Sequence, residues 1–274
     1  MIIRHDVDPA LYRVDPAQFP AVIAIDSVQE ELPIAYDNID RMLKPSLIPE
    51  AQMTPEICDR TDGMGTLISP TWILTAAHVA TELSPESTLK FLAAPYAIQQ
   101  IVIHPDFVNW GDDNWGDDNW GDSHQVAQND IALIALTKPV RDVEPISLYS
   151  KTDELKKSMT FLGSGDFGNG LIGPDSVDAK LRQATNRVEE MNDEWLVFKF
   201  DAPPEGTDLE GISGPGDSGG PALLPVDDGW AIAGISAGQD SQGLGEGYYG
   251  VWEYYTRVSQ YLDWIESVIA EKKT

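Results

Sequence analysis

Gly214-Pro215-Gly216-Asp217-Ser218-Gly219-Gly220 is the stretch on which the reading of this chain turns. Glycines and a proline crowded around one serine disfavour a strand interior and exclude a helix. They suit a sharp loop that aims a hydroxyl and several backbone N–H groups at one point, the geometry that a nucleophile and an oxyanion site require. A serine hydroxyl does not ionise at neutral pH, so a histidine and a carboxylate are needed elsewhere. Thr75-Ala76-Ala77-His78 and Asn129-Asp130-Ile131-Ala132-Leu133 offer both.

A chain of 274 residues can build one large domain or two small ones with real cores. Its apolar residues come in short runs bounded by Gly, Pro and Asp, which favours strands over long helices. No apolar run approaches transmembrane length. The opening Met1-Ile2-Ile3-Arg4-His5-Asp6 lacks the apolar centre of a signal peptide, which fits a cytoplasmic protein or a chain that starts after a removed signal. The net charge of −27, from 45 acidic and 18 basic residues, argues against nucleic acid and anionic membrane as partners and favours cations and basic peptides. Solubility is the plainest use of such a surface. The single cysteine, Cys58, excludes an intramolecular disulfide. Nothing in the composition sets an oligomeric state.

Residues 1–19 read as an irregular N-terminal arm interrupted by Pro9 and Pro16. Residues 20–145 form a first half, carrying a long acidic insertion over 26–60 and strands before and after His78. Within it, Asn109-Trp110-Gly111-Asp112-Asp113 is followed by Asn114–Asp118 and an imperfect third copy ending at Ser123. Five residues are too short for a solenoid unit, so 109–123 reads as a low-complexity loop. Asp112, Asp113, Asp117 and Asp118 make it a candidate structural Ca²⁺ site, although the spacing is not that of an EF-hand. Plain solvation and partner binding through its tryptophans remain alternatives. Residues 146–258 supply a second set of strands. Residues 259–274 form a helix with Tyr261, Leu262, Ile265, Val268 and Ile269 on one face and Ser259 available as N-cap.

Two motifs invite misreading. Gly163-Ser164-Gly165-Asp166-Phe167-Gly168 matches the dinucleotide fingerprint, but the following Asn169-Gly170-Leu171-Ile172-Gly173-Pro174 cannot be the helix which that site needs. Gly216-Asp217-Ser218-Gly219-Gly220 matches the α/β-hydrolase elbow, yet no histidine follows Ser218, as that fold would demand. The order that survives is His78, Asp130, Ser218.

In that order, with Leu74–His78, Asn129–Leu133, Gly216–Pro221 and Tyr255-Thr256-Arg257-Val258-Ser259 in sequence, the chain resembles the chymotrypsin/trypsin family of serine endopeptidases over about residues 20–270. The resemblance implies an all-β fold of two six-stranded antiparallel Greek-key barrels with a C-terminal α-helix. It implies Ser218 as nucleophile, His78 as general base and acid, and Asp130 as the group orienting His78. These are the roles of the standard triad, whose worked template comes from this same family. The backbone amides of Gly216 and Ser218 would form the oxyanion hole. Ser236 would support the aspartate and open the segment, through Gly238, that pairs with peptide substrate. No cofactor is required, substrates are proteins or peptides, and the protein is expected to be secreted or periplasmic.

The resemblance leaves specificity open. Ile212 and Ser213 fall at the bottom and wall of the primary pocket, and Ile212 argues for an apolar one. Glu253 falls where the family carries a pocket glycine, and a carboxylate there could pair with Arg or Lys before the cut, fill the pocket, or meet a protein cation. Ala237 replaces a tryptophan, which opens a subsite, and Val79 stands where a cysteine usually follows the histidine. Activation in the family sets a freed N-terminal amine against the aspartate matching Asp217; Ile2 or Ile3 would supply it once Met1 is removed. A non-catalytic or unactivated binding protein using the acidic Trp/Asp loop is the competing function.

Overall fold

The computed structural model describes residues 1–25, 61–84, 86–109 and 126–271. The insertion 26–60, with Cys58, and nearly all of the Trp/Asp repeat, with its four candidate Ca²⁺ ligands, lie outside the described residues.

The chain opens with β1 (Ile2–Ile3). The first half then contributes β2 (Val22–Ile25), β3 (Gly63–Ser69), β4 (Trp72–Thr75), β5 (Thr88–Phe91), β6 (Ala94–Ile103) and β7 (Ala132–Leu136). They form one antiparallel sheet in the order β2-β3-β4-β7-β6-β5. Its two edge strands approach each other, so the sheet curls into a barrel. Both β4 and β7 are buried at every residue. Ala132 of β7 packs on Ala77 and Ala80 of α1 (Ala77–Thr81), while Leu133, Ile134, Ala135 and Leu136 join the main core.

The second half runs β8 (Ser147–Leu148), β9 (Ser158–Gly163), β10 (Phe167–Asn169), β11 (Gly173–Ser176), β12 (Arg182–Met191), β13 (Trp195–Lys199), β14 (Gly211–Ile212), β15 (Pro221–Val226), β16 (Gly229–Asp240) and β17 (Trp252–Arg257). The order β15-β9-β12-β13-β17-β16 closes on itself because β15 also pairs with β16; β8 adds to β16 in parallel. Phe161 fills the centre, with ring centroids 4.8 Å from Phe198 and 4.6 Å from Tyr255. The expected all-β architecture of two six-stranded barrels is therefore the fold. A continuous core joins them: Leu162, Leu223, Ile232, Ile235 and Val258 of the second half share the cluster of the first. Helix α2 (Leu262–Glu271) sits on that cluster through Leu262, Ile265, Val268 and Ile269.

Two local expectations give way. The N-terminal arm is anchored rather than irregular, because β1 lies between β10 and β14 in a small sheet and Met1, Ile2 and Ile3 are buried. A two-residue strand has no periodicity to read, so only its partners reveal it. Ser259 does not cap α2; it lies in a 3-10 turn, Val258–Gln260, and its hydroxyl donates to Glu154 Oε1 at 2.8 Å. The buried pair of Glu154 and Arg257 recruits it, at 2.8 Å between Nη2 and Oε2. Among the described residues no helix is long and apolar enough to cross a membrane.

Candidate active site

Helix α1 is a single short turn whose alanines fit against Ala132, and this close packing faces His78 toward the residue that precedes β7 by two. Asp130 accepts from the His78 backbone N–H through Oδ1 at 2.9 Å and meets the ring Nδ1 through Oδ2 at 2.6 Å. A carboxylate only accepts, so Nδ1 carries the proton and Nε2 presents a lone pair to the cleft. Asp130 is completely buried, whereas the His78 side chain keeps 28% exposure. One ring nitrogen is thus fixed and the other is free to work. A hydroxyl absent from the sequence reading also supports this aspartate: Thr256 Oγ1 donates to its carbonyl oxygen at 2.9 Å. Ser236, expected in that role, braces the serine loop through its backbone: its N–H donates to Gly220 O at 2.9 Å and its carbonyl accepts from Gly219 N at 2.8 Å.

The serine loop is seated against the histidine's own strand by missing side chains. A Cβ on Gly219 would lie 2.4 Å from both Met64 O and Thr75 Oγ1, and one on Gly63 would lie 2.5 Å from Val79 Cγ1 and 3.1 Å from Ser218 O. Ser218 O accepts from Met64 N at 2.7 Å, and Gly219 N donates to Ser236 O at 2.8 Å. His78 and Asp130 are thus bonded to each other, and the Ser218 backbone is held against β3, beside the Val79 side chain that follows His78. Within the loop, the amides of Gly214, Asp217, Gly219 and Gly220 all donate to protein acceptors. Among the described residues, those of Gly216 and Ser218 donate to none, which leaves two adjacent N–H groups for an oxyanion.

Asp217 holds the loop from behind. Its carboxylate accepts from Gly165 N at 2.7 Å and Gly214 N at 2.9 Å, and it pairs with the N-terminal amine at 2.5 Å. With Met1 in place that amine is Met1's, and Ile2 follows it in β1, opposite Ile212. The same contacts explain the false dinucleotide motif. A Cβ at Gly163 would lie 2.0 Å from Asp217 Oδ1, and one at Gly165 would lie 2.3 Å from Pro215 O. These glycines admit the serine loop, not a pyrophosphate.

Comparison with known proteins agrees with this geometry. A family model described as Trypsin matches residues 57–265, most of the chain. The chain belongs to the trypsin family of serine proteases. It is also 29% identical over 238 residues to a protein named tryptase from Mus musculus, across 75% of this chain and 77% of that one.

Beside the trypsin-family loop, the expected pocket residues are present but differently occupied. Ile212 is fully buried among Ile2, Phe200 and Val251. Glu253 is completely buried, and both its oxygens accept from Ser213 N, at 3.0 and 3.1 Å, while Ser213 Oγ donates to Oε1. Burial, outweighing these donors, pushes its pKa up to about 8. Gln239, unmarked by any sequence motif, spans from Ser213 O, 2.8 Å from its Nε2, to Gly247 N, 3.1 Å from its Oε1. A Cβ on Gly238 would meet only Val126 among the described residues, at 3.6 Å. Among the described residues no cluster of three or more His, Cys, Asp or Glu could hold a metal ion.

Proposed function

We propose that this protein is a serine endopeptidase that cuts peptide bonds through a covalent acyl-enzyme. Ser218 Oγ attacks the carbonyl carbon while His78 Nε2 takes its proton. The C–N bond then breaks as the imidazolium returns that proton to the departing amine. Water, activated by the same nitrogen, hydrolyses the ester and regenerates Ser218. Asp130 keeps Nδ1 protonated and lies beside the imidazolium when it forms. The N–H groups of Gly216 and Ser218 hold the tetrahedral oxyanion, each such donor stabilising the transition state by about 3–4 kcal/mol. General base catalysis supplies roughly 10²–10⁴ in rate. The observation that carries this reading is the His78–Asp130 pair, bonded through both carboxylate oxygens, together with the Gly216 and Ser218 amides, which donate to no acceptor among the described residues. No cofactor enters these steps, and a secreted or periplasmic setting accompanies the family resemblance.

A preference for Arg or Lys would require Glu253 to be ionised and within reach of substrate. Its complete burial and raised pKa argue against both.

The test is hydrolysis of short peptide amides alongside labelling with a fluorophosphonate. Ser218→Ala should lose labelling and about 10⁴–10⁶ of the turnover while keeping the parent melting temperature. Unchanged turnover in that variant would exclude Ser218 as nucleophile.

A further inference from the structure

We infer that Gln239 and Glu253 close the recess beside Ser218 at partial depth, so that the enzyme cuts after small uncharged residues such as Ala, Ser or Val. This inference rests on the endopeptidase reading and names the substrate class of the same site.

Strands β16 and β17 pair Gln239 directly with Glu253. Directly paired residues project from the same face of a sheet, so both side chains point the same way. They converge on Ser213: the carboxyl takes its N–H and hydroxyl, and the Gln239 amide takes its carbonyl. Ser213 begins the turn that leads to the Gly216 and Ser218 amides. In the binding mode that the trypsin-family resemblance implies, with the scissile carbonyl against those two amides and the substrate backbone along Ser236–Gly238, the side chain before the cut enters between the turn and β16. Among the described residues a Cβ on Gly238 would touch only Val126, at 3.6 Å, so none of them blocks that entrance. Immediately behind it, Gln239 crosses the gap and is held at both ends, by Ser213 O and Gly247 N. A long or aromatic side chain must displace this amide and leave both partners unpaired. An arginine that did so would meet Glu253, which burial biases toward its neutral form, so pairing would first require the carboxyl to give up its proton in a desolvated site. The Gln239 bridge therefore limits depth, and the desolvated Glu253 makes a costly counter-charge.

The experiment measures kcat/KM for tripeptide amides that differ only before the cut, carrying Ala, Ser, Val, Phe, Lys or Arg. Enzyme concentration is set by fluorophosphonate titration. The small residues should exceed Phe, Lys and Arg by about tenfold or more, the scale on which a pocket discriminates by size. In Gln239→Gly, the ratio of Phe to Ala turnover should rise by about tenfold. A lead for Arg or Lys in the parent, or no change of ratio in Gln239→Gly, overturns the inference and leaves the endopeptidase standing. So do inert small-residue substrates when Ser218 is still labelled. No turnover of any substrate together with no labelling overturns the endopeptidase reading itself, and this inference with it.

Discussion

Two carboxyl groups share the interior behind the serine loop, and their surroundings treat them differently. Asp217 faces the Met1 amine and two backbone N–H groups, a full set of partners for a buried anion. Glu253 has the Ser213 donors, but its desolvation outweighs them, and the nearby charge of Asp217 opposes ionisation further. Its pKa is thus raised from an ordinary 4.5 to about 8. The sign follows from linkage: a folded-state pKa raised above the unfolded value gives stability that is present at acid pH and lost as pH rises through about 8. Glu210, raised by burial to about 7, acts in the same direction. Glu253→Gln keeps an acceptor for Ser213 but cannot ionise. Melting curves should show it close to the parent at pH 4–5 and more stable at pH 9, the gap growing by at most about 1.4 kcal/mol per pH unit. Parallel curves across that range would show that Glu253 titrates normally.

The element that positions Asp130 is the turn before β7. Asn129 adopts φ +50°, a left-handed conformation that asparagine tolerates better than most residues. Each of its polar groups is tied down. Its N–H donates to Glu194 Oε1 at 2.8 Å, its Nδ2 to Asp106 O at 2.9 Å, and Tyr261 Oη donates to its Oδ1 at 3.0 Å. Glu194 lies at the start of the β13 region of the second barrel, so that barrel helps to aim a carboxylate belonging to the first. Glu194 is thereby a positioning residue. Glu194→Ala should lower kcat several-fold to about tenfold with little change in KM, since a small misplacement of a catalytic group costs rate rather than binding. Glu194→Gln, which still offers a carbonyl acceptor, should recover most of the loss. Equal loss in both variants, or a change confined to KM, would remove Glu194 from the aim of Asp130.

Across the whole molecule, a charge of −27 means that the folded state repels itself. Such repulsion is screened over about 8–10 Å at ordinary ionic strength and over about 3 Å at 1 M salt. The melting temperature at neutral pH should therefore rise as sodium chloride is taken from about 0.05 to 0.5 M. A flat or falling response would mean that ion pairs such as Glu154–Arg257, rather than net repulsion, govern the electrostatics of stability. The same field favours the approach of cationic peptides, while the specificity proposed above selects by size what is cut. Attraction of a substrate and acceptance of its side chain are separate properties here.

The sequence by itself determined the β class, the order of His78, Asp130 and Ser218, and the glycines of the serine loop. Each is carried by residues close in the chain: short apolar runs, a turn that only glycine can make, a motif of five to seven residues. It could not say how residues far apart would meet. That the Met1 amine reaches Asp217, that Thr256 supports Asp130, and that Ser259 turns to Glu154 depend on groups brought together across 100 residues or more. Glu253 shows the division most clearly. The neighbouring Tyr255–Ser259 motif gives it a pocket position by resemblance, but says nothing of its charge. Whether a carboxyl ionises depends on the water, donors and charges around it, and only the tertiary structure places it in full burial, facing Ser213 and next to the register partner Gln239.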